Sequence, residues 1–162
     1  ATQCYETLME DGRKAYYAVK NKLCTRAVEN VIEANILLSG IGFESGGVCA
    51  AHPVNNGLAA LPATHNYLHG NKVAFSLIVQ LLLSNASMDE IYSVMSFLHD
   101  VDLPVTLAEL GITMVTDTDL GLIARIANED PSIHRLTKTV DESAIIHAVL
   151  AADALGKEFL LD

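Results

Sequence analysis

Residues His69 to Ser84 read HGNKVAFSLIVQLLLS, and this stretch decides the fold class. Val73, Ala74, Phe75, Leu77, Ile78, Val79, Leu81, Leu82 and Leu83 cover most of a helical circumference. A helix that is apolar nearly all round needs neighbours on every side, so it belongs at the centre of a bundle. Downstream, Ser87 ahead of Asp89 and Glu90 opens a helix through about Asp100. Leu103-Pro104 ends it, and Thr106 to Leu110 makes one short turn before Gly111. Thr116, Asp117 or Thr118 starts the next, through Asn128, with Leu120, Ile123 and Ala127 inward. Pro131 breaks that helix, and Ser132 to Thr137 reads as a short one. Asp141 caps a last helix through Gly156, with Ile145, Ile146, Val149, Leu150 and Ala154 inward.

Upstream, Thr2 to about Lys22 carries Tyr5, Leu8, Met9, Ala15, Tyr16 and Val19 at helical spacing, as one long or two short helices around Asp11-Gly12. Thr25 caps a helix whose face is Val28, Val31, Ile32, Asn35 and Leu38, ending in the glycines of Ser39-Gly40-Ile41-Gly42. Asn35 on that face reads as a polar residue bridging two helices. No alternating run is long enough for a strand, and no internal repeat is present. The expectation is an all-α, multi-helix bundle over residues 1–162 as a single domain. Ala1 already lies within a helical pattern, which suggests a piece cut from a longer chain or a trimmed start.

A formal net charge of −10 argues against a nucleic-acid partner, which needs a basic footprint. No run approaches the roughly 18 uninterrupted apolar residues of a membrane span; Gln80 interrupts the longest, Leu77 to Leu83. A basic start followed by an apolar signal stretch is also missing. Cys4, Cys24 and Cys49 are odd in number and lack a CxxC pair, which points to buried thiols in a reducing cytoplasm.

The chemistry concentrates in Gly40 to Phe75, GIGFESGGVCAAHPVNNGLAALPATHNYLHGNKVAF. His52 lies in a small-residue segment and His69 opens the central helix. If Gly46 to Leu61 is helical, nine residues of rise carry the chain about 14 Å past His52. The eight steps from Leu61 to His69 can reach back roughly 27 Å, so the imidazoles can meet as two ligands of one metal. Pro53 places a bend or a helix start beside His52. A catalytic zinc takes three protein ligands, and no third emerges from the spacing. His65 reads as an exposed loop residue, and His99, His134 and His147 as satisfied core or surface residues. Gly40-Ile41-Gly42-Phe43-Glu44-Ser45-Gly46 has GxGxxxG spacing after a helix, where a dinucleotide loop needs GxGxxG after a strand. His99-Asp100 suggests an HD phosphohydrolase, but Asp100 points about 170° from the face of Ile91, Val94, Met95 and Leu98.

Gly42-Phe43-Glu44-Ser45-Gly46-Gly47, Ala50-Ala51-His52, Asn56-Gly57-Leu58 and His69-Gly70-x-Lys72-Val73-Ala74-Phe75 carry a resemblance to the glycerol dehydrogenase family of the iron-containing alcohol dehydrogenase superfamily. Ile32-Glu33-Ala34-Asn35, Leu38-Ser39-Gly40 and Val79-Gln80-Leu81 extend it. Beyond about Asn85 it rests on helix order, Asp102-Leu103-Pro104 and Thr106 to Gly111. The resemblance implies a dehydroquinate synthase-like helical domain, the C-terminal half of a two-domain chain without its N-terminal nucleotide-binding domain. It implies His52 and His69 as ligands of zinc, with iron as the other candidate, and Phe43 as a wall of the polyol pocket. The third ligand is an aspartate on an earlier helix, and the NAD-binding loops also lie outside this chain. Relatives commonly have His where this sequence has Asn55 and Ala where it has Pro53; Asn55 can still hydrogen-bond a substrate hydroxyl. The implied reaction is hydride transfer from the secondary alcohol of glycerol, or a similar polyol, to NAD, with the metal as Lewis acid. The chain alone is expected to be inactive, and the complete enzyme to be a cytoplasmic homo-oligomer. A different class of reading is a non-catalytic helical interaction or oligomerisation module.

Overall fold

The computed structural model describes residues 1–136 and 139–161. They are helical, with no strand among them, as the periodicity requires. Contacts divide the chain into two compact units, residues 1–47 and 48–162.

In the first unit α1 (Thr2–Lys20) runs unbroken through Asp11-Gly12, and α2 (Arg26–Glu33) packs on it. Their small core is Ala15, Ala18 and Val28, flanked by Ala27 and Val31. Asp11 lies buried between them, its carboxylate accepting from Asn30 Nδ2 (2.7 Å) and paired with Lys14. Thr25 occupies the cap position of α2, but its hydroxyl bonds no helix N–H.

Two expectations for this unit are corrected. The glycines after Ser39 do not end the helix: α2 passes through a π-helical segment, Ala34–Leu38, into α3 (Ser39–Gly46). The wider π-turn loosens the regular ladder, and the Cys4 thiol donates to the carbonyl of Ala34, where the segment begins. The break falls at Gly47, whose φ of 67° and ψ of −158° suit only glycine. Asn35 is exposed rather than buried between helices, as is Ile32 at 51% on the same expected face ahead of the π segment.

The second unit holds the main core. Here α5 (His69–Leu83) packs against α4 (Ala51–Ala59), α6 (Met88–Asp100) and α8 (Glu142–Phe159), while α7 (Asp117–Glu129) packs against α4 and α8. Phe75, Ile78 and Val79 of α5 are fully enclosed, the central position expected of the most apolar helix. The predicted caps of α6, α7 and α8 form. Ser87 accepts from the Glu90 N–H, Thr116 shares a reciprocal capping box with Asp119, and Asp141 accepts from the Ala144 N–H. Helices α1, α5 and α6 end alike, on Lys22, Asn85 and Asp102 in the left-handed region. In each, the next residue's N–H returns to a carbonyl five positions back (Leu23 to Ala18, Ala86 to Leu81, Leu103 to Leu98), the Schellman closure.

The inward face of α8 is one residue out of phase with the expectation. Ile145, Val149, Ala152 and Gly156 are buried, whereas Leu150 and Ala154 face solvent. The cause is Asp153, buried because its Oδ1 accepts the Leu107 N–H at 2.8 Å while Oδ2 pairs with Lys157 at 2.6 Å. Docking residues 105–107 on that side turns the helix toward them. The short helix expected at Ser132 to Thr137 is a 3₁₀ turn, Pro131–Arg135, and Thr137 lies outside the described residues. The cysteines are free but not buried as expected: Cys24 is exposed, and Cys4 and Cys49 are half-buried. Among the described residues no helix is long and apolar enough to cross a membrane.

Candidate metal centre

His52 is the second residue of α4 and His69 the first of α5. Pro53 is the third residue of α4, within the first turn, where its missing N–H would have had no intrahelical acceptor, so the helix accommodates it at its start. The N-terminal N–H groups left over find other partners: His52 donates to the carbonyl of Cys49 (3.3 Å), and Ala51 donates to Gln80 Oε1 from α5 (2.9 Å). Gly57 lets α4 lie on α7, since a Cβ there would stand 2.6 Å from the Ile123 carbonyl oxygen.

The chain returns from α4 to α5 through a 3₁₀ turn, Pro62–Thr64, held from inside. Buried Thr64 donates from Oγ1 to the carbonyls of Leu58 (2.7 Å) and Leu61 (3.1 Å). Lys72 Nζ donates to the carbonyls of Tyr67 (2.8 Å) and Thr64 (3.3 Å), and the Leu68 N–H reaches Asn71 Oδ1 (3.1 Å).

This connection brings the two imidazoles together, with ring centroids 5.6 Å apart and planes tilted by 47°. Zinc–nitrogen bonds of about 2.0–2.1 Å at a tetrahedral angle would put two imidazole centroids about 5 Å apart, a length close to the observed gap. The pKa of His52 is lowered, first by burial, then by His69, and against the opposing pull of the Asp130 carboxylate. A lowered pKa keeps the ring neutral, the form that binds a metal. The donor set therefore fits half of a zinc site. No group of three His, Cys, Asp or Glu side chains suited to a metal occurs among the described residues.

Asp130 borders the pair. Its Oδ1 accepts from the Ser132 N–H (2.9 Å) and hydroxyl (2.6 Å), and these bonds lead in lowering its pKa. Its Oδ2 accepts from Asn56 Nδ2 (3.4 Å), and Asn56 Oδ1 accepts from Asn55 Nδ2 (3.2 Å). Among the described residues, no donor reaches buried Asn55 Oδ1. Sequence reasoning missed Asp130, Lys72 and Gln80, although Lys72 and Gln80 are visible as the polar interruptions of an otherwise apolar helix. Phe43 is 59% exposed on α3, in the first unit. The remaining histidines do not join the pair. His65 and His147 are exposed, His134 Nε2 lies 3.2 Å from the Asn128 carbonyl, and exposed His99 meets the Phe159 ring edge-on at 5.8 Å. Asp100 lies off the buried face of Ile91, Val94, Met95 and Leu98, as its helical phase requires.

The lowered pKa of His52 makes the metal-free protein sensitive to pH. Because that pKa falls on folding, the unfolded chain binds the proton more readily. Stability from the neutral ring is thus full above the ordinary value of 6.5 and declines as pH falls below it toward the folded value. Urea midpoints measured from about pH 7.5 to about pH 5 should fall more steeply for the wild type than for His52→Gln.

No family model matches the chain. It is 49% identical over 158 residues to a glycerol dehydrogenase of Pseudomonas putida, an alignment covering 97% of this chain and 43% of that protein. It is 45% identical over 161 residues to a glycerol dehydrogenase of Escherichia coli O6:H1, covering 99% and 44%. Among solved structures, a probable glycerol dehydrogenase from Sinorhizobium meliloti 1021 superposes with a TM-score of 0.92 at 41% identity, over 97% of this chain and 45% of that one. The chain thus spans less than half the length of these relatives.

Proposed function

We propose that this chain, of the glycerol dehydrogenase family over the stretch the two share, supplies two ligands, His52 and His69, to the metal of an NAD-dependent polyol dehydrogenase. The observation that carries the proposal is the 5.6 Å approach of two imidazoles presented by different helices. Zinc is the favoured ion because the donors are neutral nitrogens, and iron is the other candidate. When bound, the ion supplies Lewis acidity toward a substrate oxygen. The chain's own part is to hold two imidazoles at ligand spacing and to keep His52 unprotonated through burial.

Glycerol or a similar polyol is the substrate class, and the family resemblance makes Phe43, exposed on α3, a candidate contact for it. The hydride acceptor is NAD, bound by a nucleotide-binding domain beyond these residues. The unpaired cysteines and acidic composition suit a cytoplasmic protein. Exposed Ile36, Leu37 and Ile41, at 74%, 51% and 56%, support assembly into a homo-oligomer.

Two imidazoles fall one short of the usual catalytic zinc set, so these 162 residues alone bind the metal without turning over substrate. Zinc titration of the metal-free protein should saturate at about one ion per chain. The loaded chain, given glycerol and NAD, should form no NADH. Absence of zinc uptake would remove the metal reading, and NADH formation by this chain would overturn the requirement for further residues.

A further inference from the structure

The metal pair leaves a buried lysine unexplained. Lys72 is 8% exposed, and among the described residues no carboxylate pairs with it. Burying an ammonium is costly unless its donors are satisfied. Its partners are two main-chain carbonyls, Tyr67 and Thr64, both in the connection that delivers His69. Charge-assisted bonds of this kind are stronger than neutral ones, so the turn is fixed by a fastener rather than by packing alone.

A second polar side chain on the same helix acts at the other ligand. Gln80 stands eight residues along α5, a rise of about 12 Å, and its Oε1 accepts the N–H of Ala51, the residue before His52. One rigid helix therefore grips the main chain just ahead of each histidine, with Tyr67 two residues before His69 and Ala51 one before His52. Apolar side chains would fill the same volumes without fixing either backbone.

We propose that Lys72 and Gln80 are positioning residues that set the separation of His52 and His69. The purpose of that separation rests on the metal reading; the separation itself can be measured without metal. In the metal-free protein, a nuclear Overhauser cross-peak between the ring protons of His52 and His69 reports it directly. Lys72→Met and Gln80→Met should each abolish or strongly weaken the cross-peak while leaving the amide signals of α7 and α8 in place. Each should also weaken zinc binding about tenfold, the scale of losing an outer-shell support. Gln80→Glu keeps an acceptor and should restore both readouts, which repacking alone would not do.

Folded Lys72→Met and Gln80→Met variants that retain the wild-type cross-peak and zinc affinity would overturn the proposal. Should Lys72→Met fail to fold, Gln80→Met beside Gln80→Glu decides by the same criteria. Cross-peaks lost in both variants of a protein that takes up no zinc would leave the clamp standing and remove the metal reading instead.

Discussion

His52→Ala is expected to weaken zinc binding by more than about a hundredfold, because losing a ligand must exceed the tenfold to hundredfold typical of losing an outer-shell partner. His69→Ala should match it, since neither imidazole alone holds the ion. The metal-free fold should hardly notice: His52 is half-buried, His69 is exposed, and neither belongs to the apolar core. Surface substitutions of that kind usually change stability by about 0.5 kcal/mol or less. The consequence appears when zinc is added. At an ion concentration about 100 times Kd the wild type gains about 2.7 kcal/mol of stability, and the variants should gain almost none. Thermal melts with and without zinc, beside chelator competition, separate these quantities. Equal zinc affinity in wild type and His52→Ala would instead favour the helical interaction module, to which the exposed apolar side chains of the first unit already lend support.

Periodicity made the second unit legible because its helices are separated by strong stops. Pro104, Pro131 and the Ser87, Thr116 and Asp141 caps each break the hydrophobic pattern where the helix breaks. The region around Gly40 and Gly42 was not legible in this way. Glycine permits a turn but does not compel one, and a π-turn that re-phases a helix leaves little trace in a 3.6-residue pattern. The error at Leu150 and Ala154 has a different origin. Reading apolar residues inward fails where a buried carboxylate such as Asp153 is tied to a backbone N–H, a partner 46 residues away that local pattern does not reveal. For the site, chain reach allowed the two histidines to meet, but their 5.6 Å spacing depends on Thr64, Lys72 and Gln80 bonding to main chain, and such bonds have no sequence period.

Gly156→Ala opposes helix propensity to packing, and packing should win. In the interior of α8, alanine is favoured over glycine by about 1 kcal/mol on propensity. Yet a Cβ on Gly156 would lie 2.1 Å from the Val105 carbonyl oxygen and 2.9 Å from both the Val105 carbonyl carbon and Thr106 Cγ2. Two of these three atoms are backbone, and they cannot step aside freely. Leu107 is bound to Asp153, while Glu109 Oε2 accepts from the N–H groups of Val105 and Thr106 at 3.0 Å each. Relief therefore requires α8 to move off residues 105–107, breaking the buried Asp153 bond. Overpacking typically costs about 1–3 kcal/mol, and loss of a buried bond to a carboxylate adds to it, so a net loss of about 3 kcal/mol is expected. Gly121→Ala in α7 is the control: no atom lies within 4 Å of its Cβ, so that variant should gain up to about 1 kcal/mol. Urea unfolding of the two variants should give shifts of opposite sign. Because α8 packs on α5, which carries His69, Gly156→Ala should also weaken zinc binding, whereas Gly121→Ala should leave it unchanged.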